Sequence, residues 1–236
     1  MIAGTDFKSR FGAWYARESA TTNYDVFMRL PALLYFSLGI WAQGSVVAGV
    51  VVNDQGLAPA LWLTTIAARA AMLAVMVVFA ALTLVRSRPV ARSEGLGPRI
   101  TAILGAGAFF GFAFLERAEP ALNWELASTL LIASSGILTS LVVLGLGRSF
   151  STMPEARRLV TTGPYALVRH PLYAAEALAT IGIVLQFRSG AALALLAAQL
   201  ALQVRRMIYE EAVLTRAFPE YAAYARSTSR IVPGVF

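Results

Sequence analysis

The polar segment 160–173, which reads VTTGPYALVRHPLY, concentrates groups that could do chemistry in a mostly apolar chain. It contains His170, the single histidine of the sequence, together with an arginine, two tyrosines and two prolines. A residue before proline is displaced from helical backbone angles, so a helix should begin only at Pro171. The free N–H groups of that helix end would face an anion. The alternative is an ordinary turn between two membrane helices.

A second polar group lies near residue 210. Arg206 and Glu210 are four residues apart, so they can form an ion pair on one helix face. Adjacent helical residues point about 100° apart, so Glu210 and Glu211 cannot both face one pocket. We expect one glutamate to bind a cationic ligand and the other to hold an arginine. A charged helix end at the headgroup level is the simpler interpretation.

The composition indicates an integral membrane protein. Of the 236 residues 58% are hydrophobic and 14% charged, whereas soluble domains have about 25% charged residues. The net charge of +7 does not indicate a nucleic-acid partner, because the basic residues lie between apolar runs, where they orient the chain and contact anionic headgroups. The absence of cysteine and the single histidine argue against a metal site built from those ligands.

The apolar runs predict an all-α polytopic membrane bundle of about six spans. Residues 188–190 separate the last two runs, which predicts a tight helical hairpin, and an amphipathic C-terminal helix should follow. The runs occupy about 31–52, 59–85, 100–115, 122–147, 172–187 and 190–204.

The distribution of basic residues predicts that both termini are cytoplasmic, in a membrane of the bacterial inner-membrane type. Seventeen of the twenty basic residues fall on one side of the predicted spans, whereas the opposite loops hold only Arg117 and Arg188. This topology puts the 148–171 loop and the C-terminal tail on the same side of the membrane.

Two charged residues lie within apolar runs, where a charge indicates function by default. Arg69 needs a partner, for which Glu125 and a bound anion are the candidates. Glu176 lies one helical turn beyond Tyr173 and faces either the polar loop or the membrane interface. The N-terminal segment 1–29, which mixes basic and aromatic residues, is either an interfacial segment or a partly ordered tail.

The two polar groups together resemble the isoprenylcysteine carboxyl methyltransferase and phospholipid methyltransferase family of membrane enzymes. The resemblance covers about residues 155–236, and residues 1–150 match only as helical membrane spans. The matching motifs are GPY at 163–165, RHPLY at 169–173, EEAVL at 210–214, FPEYAAY at 218–224 and RIVP at 230–233.

This resemblance implies S-adenosylmethionine as cofactor. One glutamate would bind its ammonium group, the helix N-terminus with Arg169 or His170 its carboxylate, and tyrosine rings its adenine. Residues 151–236 would form the cofactor-binding methyltransferase region, after the N-terminal membrane helices of 30–150. The cofactor-binding residues implied by the resemblance are Tyr165, Arg169, His170, Pro171, Tyr173, Glu210 and Glu211.

The implied activity is methyl transfer to a lipophilic small molecule or lipid that enters from the bilayer. Carboxyl O-methylation of an isoprenoid or prenylated-cysteine-like acceptor is the first candidate, with Arg206 or Arg230 pairing with the anion. Phospholipid N-methylation is the second, with Glu176 or His170 taking a proton from the amine. Two further functions stay open: a nicotinamide-dependent membrane reductase with a similar C-terminal region, and a non-catalytic scaffold or transporter.

Overall fold

A computed structural model describes residues 22–27, 29–52 and 59–235 of the chain. The predicted interfacial segment 1–29 lies outside the described residues, except for its last helical turns and Arg29. Lys8, Arg10 and Arg17, which belong to the seventeen basic residues of the predicted cytoplasmic side, also lie outside the described residues.

The described chain is almost entirely helical, as the apolar runs predict. A two-stranded antiparallel ribbon pairs β1 (Ala91–Arg92) with β2 (Glu155–Ala156), a feature that the sequence did not indicate. Short 3₁₀ helices occupy Ala108–Phe114, Gly147–Ser149 and Gly163–Ala166. The α-helices are α1 (Thr22–Phe27), α2 (Leu30–Val52), α3 (Pro59–Val85), α4 (Gly97–Gly107), α5 (Leu122–Leu146), α6 (Pro171–Phe187), α7 (Gly190–Ala217) and α8 (Tyr221–Ser227).

Five helical segments of the described chain are long and apolar enough to cross a membrane. The fifth predicted span, α6, has 17 residues and a length of about 25 Å, less than the hydrocarbon thickness of about 30 Å. The prediction of an all-α polytopic membrane bundle is therefore confirmed, with α6 as its short member. The five segments are Asp25–Val52, Pro59–Val85, Gly97–Phe114, Leu122–Ser149 and Gly190–Ala217.

The predicted helical hairpin is present as α6 and α7. Arg188 ends α6 in the left-handed region with a φ of 47°, which turns the chain back within two residues. The Ser189 side chain then accepts a hydrogen bond from the amide of Ala192 at 3.2 Å, a standard helix N-cap. The polar residues around 205–211, expected at the end of the sixth apolar run, continue α7 without a break.

Helix α5 packs against both α3 and α6, and small residues set the spacing. A Cβ on Gly182 of α6 would lie 2.9 Å from Ile132 and 3.1 Å from the Ser128 carbonyl oxygen of α5. The Ser135 hydroxyl of α5 also donates to the Ala175 carbonyl of α6 at 2.7 Å. In lipid, helices associate through such close approach and interhelical hydrogen bonds, so α6 is held firmly against α5.

On one side of the bundle, the Asp25 carboxylate joins several segments through four arginines. The carboxylate lies 2.8 Å from Arg29, 3.7 Å from both Arg86 and Arg157, and 3.8 Å from Arg92. Burial, together with the nearby charge of Arg157, lowers the pKa of Arg86. Helix α1 is thereby tied to the loops that follow α3 and α5.

Arg69 has a different hydrogen-bond partner from the candidate that the sequence suggested. Its Nη1 donates to the Gln43 side-chain oxygen of α2 at 3.2 Å. Glu125, the candidate partner, instead forms an ion pair with Arg117 at 3.4 Å. Gln43 lies in an apolar run without a periodic signal, so sequence spacing did not indicate this contact.

Candidate active site

The polar segment 160–173 is arranged as its prolines predicted. Gly163 has a φ of +63°, a left-handed conformation that favours glycine, and the chain then makes a 3₁₀ turn through Tyr165. His170 is non-helical, with φ −126° and ψ 56°, and Pro171 is the first residue of α6. The loop therefore ends at a helix N-terminus, where first-turn amides have no partner within the helix.

The C-terminal strap, residues 228–230, runs along this loop. The backbone amide of Arg169 donates to the Ser229 carbonyl at 2.8 Å, and that of His170 donates to the Arg230 carbonyl at 2.9 Å. The Arg169 guanidinium also donates to the carbonyls of Ala225 and Thr228. The loop and the strap are thus one unit of structure.

Glu211 anchors this unit to α7. Its Oε1 accepts from Arg169 Nε at 3.2 Å and from Arg230 Nε at 3.0 Å, and its Oε2 accepts from Arg230 Nη2 at 2.9 Å. His170 Nε2 lies 3.1 Å from Oε1, and since a carboxylate only accepts, this contact requires a hydrogen on Nε2. The hydrogen bond that Arg230 donates to Glu211, together with the charge of that carboxylate, raises the pKa of Arg230.

Glu210 points in another direction from its neighbour. It accepts a hydrogen bond from the Tyr173 hydroxyl, and its Oε2 lies 3.9 Å from His170 Nδ1. The imidazole of His170 therefore lies between the carboxylates of Glu210 and Glu211, which follow it by about forty residues in the sequence. The polar segment and the acidic pair meet at one place.

A cleft opens beside these residues. Its cavity volume is about 110 Å³. Six of the sequence-predicted site residues line it, namely Tyr165, Arg169, His170, Tyr173, Arg206 and Glu210. Four others, Pro171, Glu176, Glu211 and Arg230, are not among its lining residues.

Tyrosines form one wall of the cleft. Tyr165, Tyr221 and Tyr224 all line it, and the Tyr224 hydroxyl donates to the Tyr165 carbonyl at 2.6 Å. Burial raises the pKa of Tyr224 to about 12 and also raises the pKa of Tyr165. These phenols are therefore neutral near pH 7 and offer aromatic faces.

Residues 149–160 form another wall, which the sequence reasoning did not assign to the site. Glu155 and Arg157 line the cleft from this side, where Arg157 pairs with Glu155 at 2.8 Å and donates to the Ser87 carbonyl at 2.7 Å. The β1–β2 ribbon holds this segment in place. Two residues per strand give no detectable sequence pattern, so only the basic character of the segment was visible beforehand.

Arg206 lines the cleft and is 8% exposed, and its predicted ion pair with Glu210 is absent. Within the described residues no carboxylate lies within 4.0 Å of Arg206, whose guanidinium instead stacks 5.0 Å above the Tyr173 ring. Its Nη2 makes a long hydrogen bond of 3.4 Å to the Thr152 carbonyl. The prediction failed because Tyr173 takes the carboxylate of Glu210 and the guanidinium lies over the tyrosine ring.

Polar side chains continue from Arg206 along the α6–α7 interface. Gln203, one turn before Arg206 on α7, donates to Glu176 of α6 at 3.1 Å. Gln199, a further turn away, is 1% exposed, and its amide has no hydrogen-bond partner among the residues described. The sequence signal for this row of polar residues was the four-residue and seven-residue spacing of positions 199, 203 and 206.

A family model described as phospholipid methyltransferase matches residues 124–221. The cobalt-zinc-cadmium resistance protein CzcN of Cupriavidus metallidurans is 45% identical over 76 residues, which cover 32% of this chain and 35% of that protein. The nickel-cobalt-cadmium resistance protein NccN of Alcaligenes xylosoxydans xylosoxydans is 33% identical over 116 residues, which cover 47% of this chain and 53% of that protein.

The chain thus matches about a third and about half of the length of these two relatives. Among the described residues, no group of three or more histidine, cysteine, aspartate or glutamate side chains is placed to hold a metal ion. The matched segment begins in α5 and ends at Tyr221, so it contains the polar loop, the helical hairpin and the acidic pair. Residues 124–221 are therefore similar to the phospholipid methyltransferase family, in agreement with the resemblance that the motifs carry.

Proposed function

We propose that the protein transfers a methyl group from S-adenosylmethionine to the carboxylate of a lipophilic acceptor. The single observation that carries this proposal is that both an acidic and a basic side chain line the cleft. Glu210 and the buried cation Arg206 both line the cleft, one helical turn apart on α7. A site with a carboxylate followed by a guanidinium suits a cationic cofactor group and an anionic acceptor.

The residues present fit the cofactor. Glu210 is 25% exposed, and as a carboxylate bonded to one tyrosine hydroxyl it retains acceptor capacity for an ammonium group. The unpaired amides of the first turn of α6 suit a carboxylate, and the tyrosine wall suits a purine ring. When bound, the cofactor would supply an electrophilic methyl group on a sulfonium.

Arg169, His170, Glu211 and Arg230 then have supporting roles. Because the guanidinium groups of Arg169 and Arg230 are bonded to Glu211, we assign them the task of holding the loop. Arg230, which the sequence reasoning considered as an acceptor ligand, becomes a positioning residue in this proposal. Pro171 starts the helix whose end faces the ligand.

The acceptor chemistry follows from Arg206. A carboxylate oxygen is already nucleophilic, so no proton needs to be removed before the new C–O bond forms and the C–S bond breaks. Arg206 would hold the carboxylate in line with the methyl group, while the buried position excludes water; alignment of this kind can lower a barrier by about 7–11 kcal/mol. The apolar part of the acceptor would lie in the bilayer.

Phospholipid N-methylation is the second candidate, and Glu176 favours it. This carboxylate lies on α6 beside Gln203 and is in electrostatic contact with Arg206. An ammonium headgroup must lose a proton before it can accept a methyl group, and a nearby carboxylate can take it. The description of the matching family also agrees with this second candidate.

A nicotinamide-dependent reductase is not favoured. A cofactor with a 2′-phosphate would require available arginines, and Arg157, Arg158, Arg169 and Arg206 do line the cleft. However, Arg157 and Arg169 are already bonded to carboxylates. We retain reductase activity as an outcome that the cofactor titration can detect.

We also propose the bacterial inner membrane as the location, with both termini cytoplasmic. The cleft is lined by the basic 149–160 segment and by Tyr221 and Tyr224 of the C-terminal tail, which the charge distribution assigns to one side. The division of the chain into 1–29, 30–150 and 151–236 remains a prediction.

The test is cofactor titration of the protein in phospholipid nanodiscs. We expect His170→Ala and Glu210→Ala each to weaken S-adenosylmethionine binding at least tenfold, about 1.4 kcal/mol. Glu220→Ala, at an exposed glutamate near the same helix end, is the control. Unchanged affinity in both site variants would contradict the cleft assignment, and binding of a nicotinamide cofactor instead would support the reductase.

The acceptor is tested with radiolabelled cofactor and two lipids. We expect label in farnesoic acid, an isoprenoid carboxylate, and none in phosphatidylethanolamine. Label in the phospholipid alone would replace the first candidate with the second.

A further inference from the structure

We propose that the N-terminal membrane helices complete the acceptor subsite, with Gly105 of α4 and Tyr35 of α2 positioning Arg206 for a lipid carboxylate. This inference rests on the proposed function and adds residues that neither the sequence motifs nor the family match contains. Both residues lie outside the matched segment 124–221. The cofactor end and the acceptor end of the site would then come from different parts of the chain.

Gly105 allows the Arg206 side chain to pack against the backbone of α4. A Cβ placed on Gly105 would lie 3.0 Å from Arg206 Cδ, 3.5 Å from Nη1 and 3.8 Å from Nε. The Arg206 side chain therefore lies flat against the backbone of α4 at this residue. A methyl group here would displace Cδ of Arg206, the methylene next to the guanidinium, by a few tenths of an ångström.

Tyr35 stabilises the backbone beside Gly105. Helix α4 ends at Gly107 and the chain continues as a 3₁₀ helix from Ala108, so the hydrogen-bond pattern changes within an apolar span. Backbone groups at membrane depth need partners, and the Tyr35 hydroxyl donates to the Ala106 carbonyl at 2.9 Å. The hydroxyl thus fixes the surface on which Arg206 lies.

The unused hydrogen-bond donor of Arg206 indicates the class of ligand. Arg206 is 8% exposed, and its Nε has no hydrogen-bond partner within the described part of the chain. A buried guanidinium with an unused donor and no carboxylate within 4.0 Å among the described residues fits an anionic ligand. A carboxylate is such a ligand and is the group that the proposed reaction consumes. The subsite would therefore select acidic lipids.

Two glycines of α4 provide a matched pair for the test. A Cβ on Gly107 would have no atom within 4 Å, whereas one on Gly105 meets Arg206. We expect Gly105→Ala to weaken farnesoate binding about tenfold, measured by calorimetry in nanodiscs, while S-adenosylmethionine affinity stays unchanged. Gly107→Ala should leave both affinities within about twofold.

A double-mutant cycle with Arg206→Leu separates positioning from general damage. If Gly105 acts through Arg206, Gly105→Ala should cause no further loss of farnesoate binding in the Arg206→Leu background. Tyr35→Phe removes one hydroxyl only, and we expect it to weaken farnesoate binding about threefold to tenfold with cofactor affinity unchanged. If Gly105→Ala does not fold, the farnesoate affinity of Tyr35→Phe tests the positioning of Arg206 in its place.

The outcomes distinguish this inference from the proposed function. Wild-type protein that binds S-adenosylmethionine but not farnesoate overturns the carboxylate subsite and leaves the methyl donor in place. Equal farnesoate affinities of the Gly105→Ala and Gly107→Ala variants, or additive losses in the cycle, overturn the role of Gly105. Absence of cofactor binding by the wild type would instead reject the proposed function.

Discussion

Glu211 should stabilise the loop and strap more than any other single side chain of the site. We consider Glu211→Gln, which preserves shape and removes the charge. Its amide can retain one oxygen for Arg169, His170 and Arg230 Nε, but an NH₂ group would face Arg230 Nη2, now 2.9 Å from Oε2. One charge-assisted hydrogen bond is lost, and Arg169 and Arg230 lose the negative charge of Glu211.

The size of the effect follows from these contacts. A hydrogen bond to a charged group contributes about 1.5–3 kcal/mol, and breaking a buried ion pair costs about 3–5 kcal/mol. The Arg230 side chain is 31% exposed, so water would offset part of the loss. We expect a destabilisation of about 3 kcal/mol, which should lower Tm by about 6–12 °C.

Thermal unfolding in detergent and hydrogen exchange are suitable assays. The amides of Arg169 and His170, which donate to the strap, should lose protection in Glu211→Gln before the hairpin amides do. Glu220→Gln removes the same charge from an exposed position and serves as the control. Equal Tm values and equal protection in the two variants would refute our reasoning that Glu211 holds the loop to the strap.

Two other predictions concern packing and titration. Gly182→Ala should destabilise the bundle by about 1–3 kcal/mol because its Cβ would meet α5 at 2.9–3.1 Å, whereas Gly145→Ala, whose Cβ meets nothing within 4 Å, should not; equal Tm values would contradict the close α5–α6 contact. Burial raises the pKa of Tyr224 from 10.0 to about 12, so its stabilising effect should be complete below pH 10 and decline as the pH rises towards 12. Ultraviolet titration of phenolate should show a late-ionising tyrosine that Tyr224→Phe removes, and ionisation near pH 10 would contradict the buried position.

Local rules accounted for the start of α6 and for the hairpin. The ring of Pro171 restricts His170 and leaves no N–H to satisfy, so the helix boundary depended on two adjacent residues. The turn after Phe187 depended on the interruption of two apolar runs by three residues. Both predictions were confirmed because the controlling interactions act between chain neighbours.

The interpretation of charged residues was less successful, because spacing shows which residues can meet and not which do. Arg206 and Glu210 satisfy the rule for an ion pair, yet Tyr173 takes the carboxylate and Arg206 lies over its ring. Arg69 likewise contacts Gln43 instead of Glu125. In each case a side chain from another helix competes, and its position depends on how the helices pack.

The sequence by itself determined the membrane class, the helical hairpin and the division of polar residues into a loop and an acidic pair. Composition, apolar run length and proline restriction are properties of short segments, so they could be evaluated without a fold. Only the tertiary structure decided that Glu211 holds the strap while Glu210 lines the cleft, that residues 149–160 form a wall, and that Gly105 accommodates Arg206. These assignments require distances between residues far apart in the chain, and packing of the helices alone sets those distances.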